Sequence, residues 1–343
     1  MLSFSAVYWR RMLINTSFDF RTDTPPGKDP DADSPTLRLY HKLLWSKALP
    51  SGRLFDLDDT VRGVYLHHSS ELGEFILCSD SVVPTFTKWK SMKRITELFR
   101  EEENEAFRTI SYTIGGMMVF PGNRIDGKQT INGARGCKGE IADRFDLTLE
   151  CIRRHYLGQC SPLDETLARY RDFFKLFADF RGYVEFFMLQ DLVAHDCSAV
   201  RFFMSFDDFN PPSKPTDGDT YKEYRRLSIE FIKARNCRIE RYAALGGAAQ
   251  GGSTGQGSYE RGCQETSFSP PLREAVAVAA CIQPRPRPGG VLVLVAPGCI
   301  RSKLSLLVST RWVHERDGST PSASGSYASK RACWLTRSKL CQP

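Results

Sequence analysis

Between residues 138 and 245 the apolar positions recur at helical spacing. Ile141, Phe145, Leu149, Ile152 and Tyr156 form one stripe, and Leu163, Leu167, Tyr170, Phe174, Phe177, Val184 and Phe187 form a second, dense in aromatics. Tyr221, Tyr224, Phe231, Arg235, Ile239 and Tyr242 lie along a long last helix. The earlier half is patterned differently. Residues 54–84 are rich in β-branched and aromatic types, and LFDLDDTV, VYLHH and GEFILCS, parted by Gly63 and Gly73, predict two or three antiparallel strands. TISYTIGGMMVFPG predicts two more, broken at Gly115-Gly116, and 202–206 a last short one. Before them, FDF is a short strand followed by a loop from which Pro25, Pro26, Gly27 and Pro30 exclude helix. Ser34 before Pro35 is a helix start for Leu37, Tyr40, Leu44 and Trp45, and a polar helix is expected over 93–106. Strands first and helices after predict an α+β fold, a small antiparallel sheet packed on several long aromatic-rich helices. Tyr170, Phe174, Phe177, Phe187 and Phe231 are the expected core.

This texture stops near Leu245. GGAAQGGSTGQGS, within 245–258, has linker composition, and residues 259–343 are dominated by Arg, Ser, Gly, Pro and Cys. Residues 245–343 carry 12 basic and 5 acidic side chains, the whole +7 excess of the 343-residue chain, so residues 1–244 are formally neutral. Two readings of the tail stand: a disordered basic segment touching nucleic acid through Arg285, Arg287, Arg301 and Lys303, or a non-native product of a frameshift or read-through.

Eleven cysteines occur without a CxxC or paired Cys/His spacing, which is neither a zinc site nor a disulfide framework and points to a reduced, cytoplasmic protein. The N-terminus places its arginines after the apolar residues and does not read as a signal peptide. The longest apolar run, VLVLVAPGCI, is about half of a bilayer crossing, so no membrane span is expected.

Two stretches carry candidate chemistry. In TINGARGCKGEIADRFDLTLECIRRHY, glycines approach a helix expected over 139–157, and the unpaired N–H groups of a helix start favour an anion. Lys128, Asn132, Arg135 and Arg144 are the expected ligands, with Arg135 and Arg144 clamping a phosphate of a nucleotide or a nucleic-acid backbone. Against this, Asp146, Glu150 and Arg154 can make the polar face a self-satisfied charge ladder, and no phosphate-loop fingerprint is present.

The second stretch is LFDLDDTV. It resembles the first motif of haloacid dehalogenase-type phosphotransferases, which implies Asp56 as nucleophile, Asp58 as acid/base, Asp207 and Asp208 as further Mg²⁺ ligands, and Thr109 or Ser111 as a phosphate-binding hydroxyl. The strand before Asp56 is short and no crossover helix follows Thr60, so the doubly wound sheet of such enzymes is not expected. A third alternative is a protein-interaction module without a small-molecule site.

SPTLRLYHKLLWSKALPSGRLF, GVYLHHSSELGEF, TINGARGCKGEIADRFDLTLECIRRHYLGQ and DFRGYVEFFMLQDLV together resemble a family of bacterial proteins of unknown function, single-domain and around 240 residues long. The resemblance covers about residues 12–244, implies Met12 as an alternative start, and brings no established activity. It implies one α+β domain over 12–244 and leaves the tail outside it.

Overall fold

The computed structural model describes residues 14–245. The expectations for Met12 and for the linker and tail beyond 245 lie outside those residues. Within them the fold is α+β, as its hydrophobic pattern predicts.

Helix α1 (Pro30–Asp33) runs into α2 (Pro35–Trp45) at Ser34, whose Oγ accepts the Leu37 N–H at 3.1 Å while Pro35 takes the first helical position. Spacing of three and four residues puts Leu37, Tyr40, His41, Leu44 and Trp45 on the buried face of α2. Strands β1 (Leu66–Ser70) and β2 (Gly73–Ser81) form a hairpin paired Leu66 to Leu77 through Ser70 to Gly73, and β3 (Met117–Pro121) pairs antiparallel with the far half of β2. The sheet order is β1-β2-β3. All five residues of β3 are buried, so both faces of that strand are covered.

Several expected strands are corrected. LFDLDDTV forms only single bridges, Ala48 to Leu54 and Asp58 to His67. TISYT is not extended: Thr109 to Ser111 close helix α4 (Glu101–Ser111), which follows the one-turn α3 (Lys93–Thr96) and whose Asn104, Phe107 and Ser111 share one buried face. Helical period there outweighs the β-branched content. Gly115 and Gly116 belong to a tight 3₁₀ turn, Ile114–Gly116, where a Cβ on Gly116 would lie 2.2 Å from the Ser111 carbonyl oxygen. Residues 202–206 form a bend that stacks Phe202 on Phe206 with centroids 4.1 Å apart.

The helical half is cut finer than its stripes suggest. Helices α5 (Ile131–Cys137) and α6 (Phe145–Tyr156) are separated by a turn in which Ala142 and Asp143 both have positive φ. Helices α7 (Asp164–Arg169), α8 (Arg171–Lys175) and α9 (Phe180–Phe186) follow. The long α10 (Gly218–Ala244) starts at a reciprocal cap between Asp217 and Thr220.

The core is aromatic. Phe177 lies 5.0–5.3 Å, ring centre to ring centre, from Phe173, Tyr183, Phe186 and Phe187, mostly tilted or edge-on as ring quadrupoles prefer. All five residues expected in the core are buried. Arg235 of α10 enters it as well, donating to the carbonyls of Gly115 (3.1 Å), Met117 (2.7 Å) and Phe187 (3.1 Å) and so tying the last helix to β3 and to the end of α9.

Candidate functional site

A cleft of about 500 Å³ opens where three segments meet beside the exit of β2. One wall is the loop of Thr24, Pro25, Pro26, Gly27 and Lys28. Lys28 N donates to the Pro25 carbonyl at 3.0 Å and Gly27 has φ +75°, which is a turn with proline second and glycine third, a position where other residues are strained. The second wall is the chain leaving β2, from Ser81 to Trp89, and the third is the C-terminal turn of α4 with Arg108, Ser111 and Tyr112.

The second wall is held firmly. Tyr221 and Tyr224 of α10 donate their hydroxyls to the carbonyls of Thr85 (2.8 Å) and Pro84 (2.9 Å), and Val82 donates its N–H to the Gly116 carbonyl (2.8 Å) and accepts the Phe145 N–H (3.1 Å). Phe86, a bulky residue lining the cleft, sits at φ +59°. Such a conformation is costly for a residue with a large side chain and persists only where its surroundings enforce it.

The electrostatics are uneven. Arg21, Lys28, Lys88 and Arg108 line the cleft against one carboxylate, Asp143. Arg21 pairs with Asp19 (2.6 Å) and Glu105 (2.8 Å), and Arg108 with Glu105 (2.7 Å) and Glu101. The hydrogen bond to Asp19 holds the Arg21 guanidinium above its usual range. Burial would lower that of Arg108, but Glu101 and Glu105 outweigh it. Lys28 and Lys88 are exposed at the rim and have no acidic partner among the described residues. Burial, with Asp31 and Asp29 nearby, raises the Tyr112 hydroxyl above its ordinary range, so it stays protonated.

The 128–144 segment reaches this cleft only through Asp143. Its glycines 133 and 136 lie inside α5, whose first N–H groups are served by Thr130, the Gly133 N–H reaching Thr130 Oγ1 at 3.2 Å. The expected clamp of Arg135 and Arg144 is corrected, because both side chains turn inward and are 0% and 1% exposed. Arg135 donates to Asp80 Oδ2 (3.0 Å), to the Ser81 and Asp143 carbonyls (3.0 and 2.5 Å) and to Thr148 Oγ1 (3.2 Å). Arg144 pairs with Asp146 and donates to the Ser213 carbonyl at 3.0 Å. Helix α6 starts at Phe145 rather than 139, and buried Asp146 in its first turn is the anion at that helix start, accepting the Phe203 N–H at 2.9 Å as well. Asn132 donates to the Ser79 carbonyl at 3.3 Å, and Lys128 is exposed.

The aspartates of the phosphotransferase resemblance do not converge. Asp58 is turned back on Thr60, accepting its N–H and its hydroxyl at 2.7 Å, while Asp208 pairs with Arg154 at 2.5 Å. Among the described residues no three His, Cys, Asp or Glu side chains are grouped to hold a metal, so Asp56, Asp58, Asp207 and Asp208 form no Mg²⁺ site there. Thr109 is occupied by Arg21 (3.0 Å) and Ser111 by the Phe107 carbonyl (2.7 Å).

A family model spans residues 14–239. The chain belongs to DUF6994, a family of unknown function. No curated protein and no solved structure matches it. The DUF6994 match lies within the stretch of about 12–244 over which the sequence resembles a family of unknown function, and takes in every residue lining the cleft. No described helix of this DUF6994 member is long and apolar enough to cross a membrane.

The lining residues Arg21, Lys28, Lys88, Trp89, Arg108 and Tyr112 were not among the expected ligands. Two sequence signals point at them in hindsight: PPGK, a turn that presents its lysine, and KWK, an aromatic between two cations. What neither can show is that residues 21–28, 81–89, 108–112 and 143 share one concave surface.

Proposed function

We propose that this is a bacterial cytosolic protein that binds a small phosphate-bearing ligand in the cleft of Lys28, Lys88, Arg21 and Arg108. The observation that carries the reading is the pair Lys28 and Lys88, which face a cleft of about 500 Å³ without an acidic partner among the described residues. Ligand sites are concave, mix apolar walls with a few placed polar groups, and commonly run from about 300 to 1,000 Å³. The left-handed backbone at Phe86 and Asp143, both lining the cleft, supports it, since such conformations gather at ligand clamps. Cys137, Cys151, Cys160 and Cys197 are free thiols, in keeping with a reducing compartment.

Arg135 keeps a role in this reading, though not as a ligand. Its guanidinium holds the carbonyls of Ser81 and Asp143, two residues of the cleft wall, from behind. It is a positioning residue.

The test is a thermal-unfolding series on the full chain with pyrophosphate as the probe. Saturating ligand stabilises by about 2.7 kcal/mol at a hundredfold excess over Kd, so the midpoint rises with concentration. The double variant Lys28→Ala, Lys88→Ala is expected to lose that rise while keeping the unliganded midpoint, because both side chains are exposed. A midpoint indifferent to millimolar pyrophosphate, or a rise that survives the double variant, removes the proposal.

A further inference from the structure

We infer that the ligand of this cleft is a nucleoside 5′-phosphate, its base packed against Trp89 and its phosphate taken by Lys28 and Lys88. The inference rests on the phosphate-binding reading and adds the other half of the molecule. The cleft is larger than a bare phosphate fills, and much of what lines it cannot hydrogen-bond. Pro25, Pro26, Pro30 and Pro84 have no backbone N–H to offer, and half-buried Trp89 adds apolar side-chain surface, with the buried side chains of Val83 and Phe86 behind the wall. The part of the ligand that lies there is therefore apolar and flat, while its charged part lies at the cationic rim.

Trp89 is the residue built for the ring. It is half-buried, and its indole is braced by Phe86 at 5.3 Å with the rings at 84°, and by Lys214 Nζ 5.5 Å from the ring centre. A braced indole loses little side-chain freedom on binding, so stacking is gained at small entropic cost. Lys88, the adjacent residue in the chain, stands at the rim, and Lys28 lines the cleft from the facing loop. Ring contact and phosphate contact thus come from neighbouring positions, as a base and its 5′-phosphate require.

A single mononucleotide fits this better than a nucleic-acid strand. Residues 1–244 are formally neutral, and affinity for a polyanion comes mainly from many cations releasing counterions along its backbone. Among the described residues the cleft offers two lysines without an acidic partner in a concave surface, enough for one phosphate.

The experiment is calorimetric titration of the full chain with AMP, ribose 5-phosphate, pyrophosphate and a single-stranded decanucleotide. AMP is expected to bind at least tenfold more tightly than ribose 5-phosphate. Trp89→Leu should abolish that preference and leave ribose 5-phosphate affinity unchanged, whereas Trp89→Phe, which keeps a ring, should retain most of it. Lys28→Ala and Lys88→Ala should weaken AMP and ribose 5-phosphate alike. Equal affinity for AMP and ribose 5-phosphate overturns the base contact and leaves the phosphate reading standing. A decanucleotide bound more tightly than AMP, with that binding lost in Lys28→Ala and Lys88→Ala, overturns the mononucleotide in favour of a strand in the cleft. Silence from all four, pyrophosphate included, overturns both readings together.

Discussion

Asn236 on the last helix accepts the backbone N–H of Gly115 at 2.7 Å across 121 residues of sequence, and its amide nitrogen donates to Thr113 Oγ1 at 2.9 Å. The contact is close because Gly115 has no side chain: a Cβ there would sit 2.5 Å from the Ile232 carbonyl oxygen and 2.6 Å from Asn236 Oδ1. Gly115→Ala is therefore expected to push α10 off the 3₁₀ turn and cost at least about 1–3 kcal/mol as overpacking. Asn236→Ala leaves the buried Gly115 N–H unpaired and should cost a similar about 1–3 kcal/mol. Urea unfolding of both single variants and the double variant reads this out. Strictly additive losses would mean that the two residues do not act on one contact.

Arg235 is fully buried, and among the described residues its acceptors are the three backbone carbonyls and the Met118 sulfur rather than a carboxylate. Burial lowers its guanidinium to about 10, which still leaves it charged at neutral pH. Arg235→Lys cannot reach three separate carbonyls from one ammonium, and Arg235→Met leaves them all unpaired. Arg235→Met is expected to cost about 1–3 kcal/mol for each buried carbonyl left unpaired, and Arg235→Lys a part of that. A midpoint in urea within experimental error of the parent for either variant would show that the helix is held by packing alone.

His41 gives the fold an acid limit. It is fully buried, and burial, with the charge of Arg235 behind it, pushes its imidazole down to about 3. In the unfolded chain it protonates near its ordinary value of about 6.5. Between those values the unfolded state binds more protons than the folded one, so stability falls as pH drops from about 6.5 toward 3, by at most about 1.4 kcal/mol per unit from this residue. His68 and His155, also lowered mainly by burial, add slope of the same sign. The urea midpoint measured from pH 7.5 to 5 should fall for the parent chain and fall less for His41→Met. Parallel curves would assign the acid sensitivity elsewhere.

Arg135 and Lys128 stand seven residues apart and should behave oppositely on substitution. Arg135 is enclosed and bound to Asp80, Ser81, Asp143 and Thr148, whereas Lys128 is exposed. Arg135→Ala is expected to destabilise by about 3–5 kcal/mol. Lys128→Ala should stay within about 0.5 kcal/mol of the parent chain, as surface changes do. Equal small effects in thermal unfolding would place Arg135 outside the framework of the cleft wall.

The wrong expectations share a cause. Thr109, Ile110 and Ser111 have strand-like composition, but Phe107 and Ser111 lie four apart and are buried together, so tertiary burial selected the helix. Arg144 was expected at a ligand because arginines near a helix start suit anions, and that chemistry was right. The anion is the chain's own Asp146, two residues on, and choosing between an internal and an external partner requires knowing which side of α6 is enclosed. The aspartates of LFDLDDTV met the same difficulty, since Asp58 binds the backbone two residues ahead, a local satisfaction open to any aspartate in a turn.

Periodicity by itself determined the α+β class, the aromatic core of Tyr170, Phe174, Phe177, Phe187 and Phe231, the β1-β2 hairpin and the long last helix, because each of these is a local repeat that burial of one face enforces. Only the tertiary structure decided where charge is spent and where it is left over. Whether a guanidinium meets a carboxylate at 3 Å or faces solvent depends on residues far away in the chain: Arg135 meets Asp80, 55 positions earlier, while Lys28 and Lys88 have no such partner among the described residues. Apart from pairs that a helix lines up three or four residues apart, such as Glu150 and Arg154, Coulomb interactions act through space with no period along the sequence to report them.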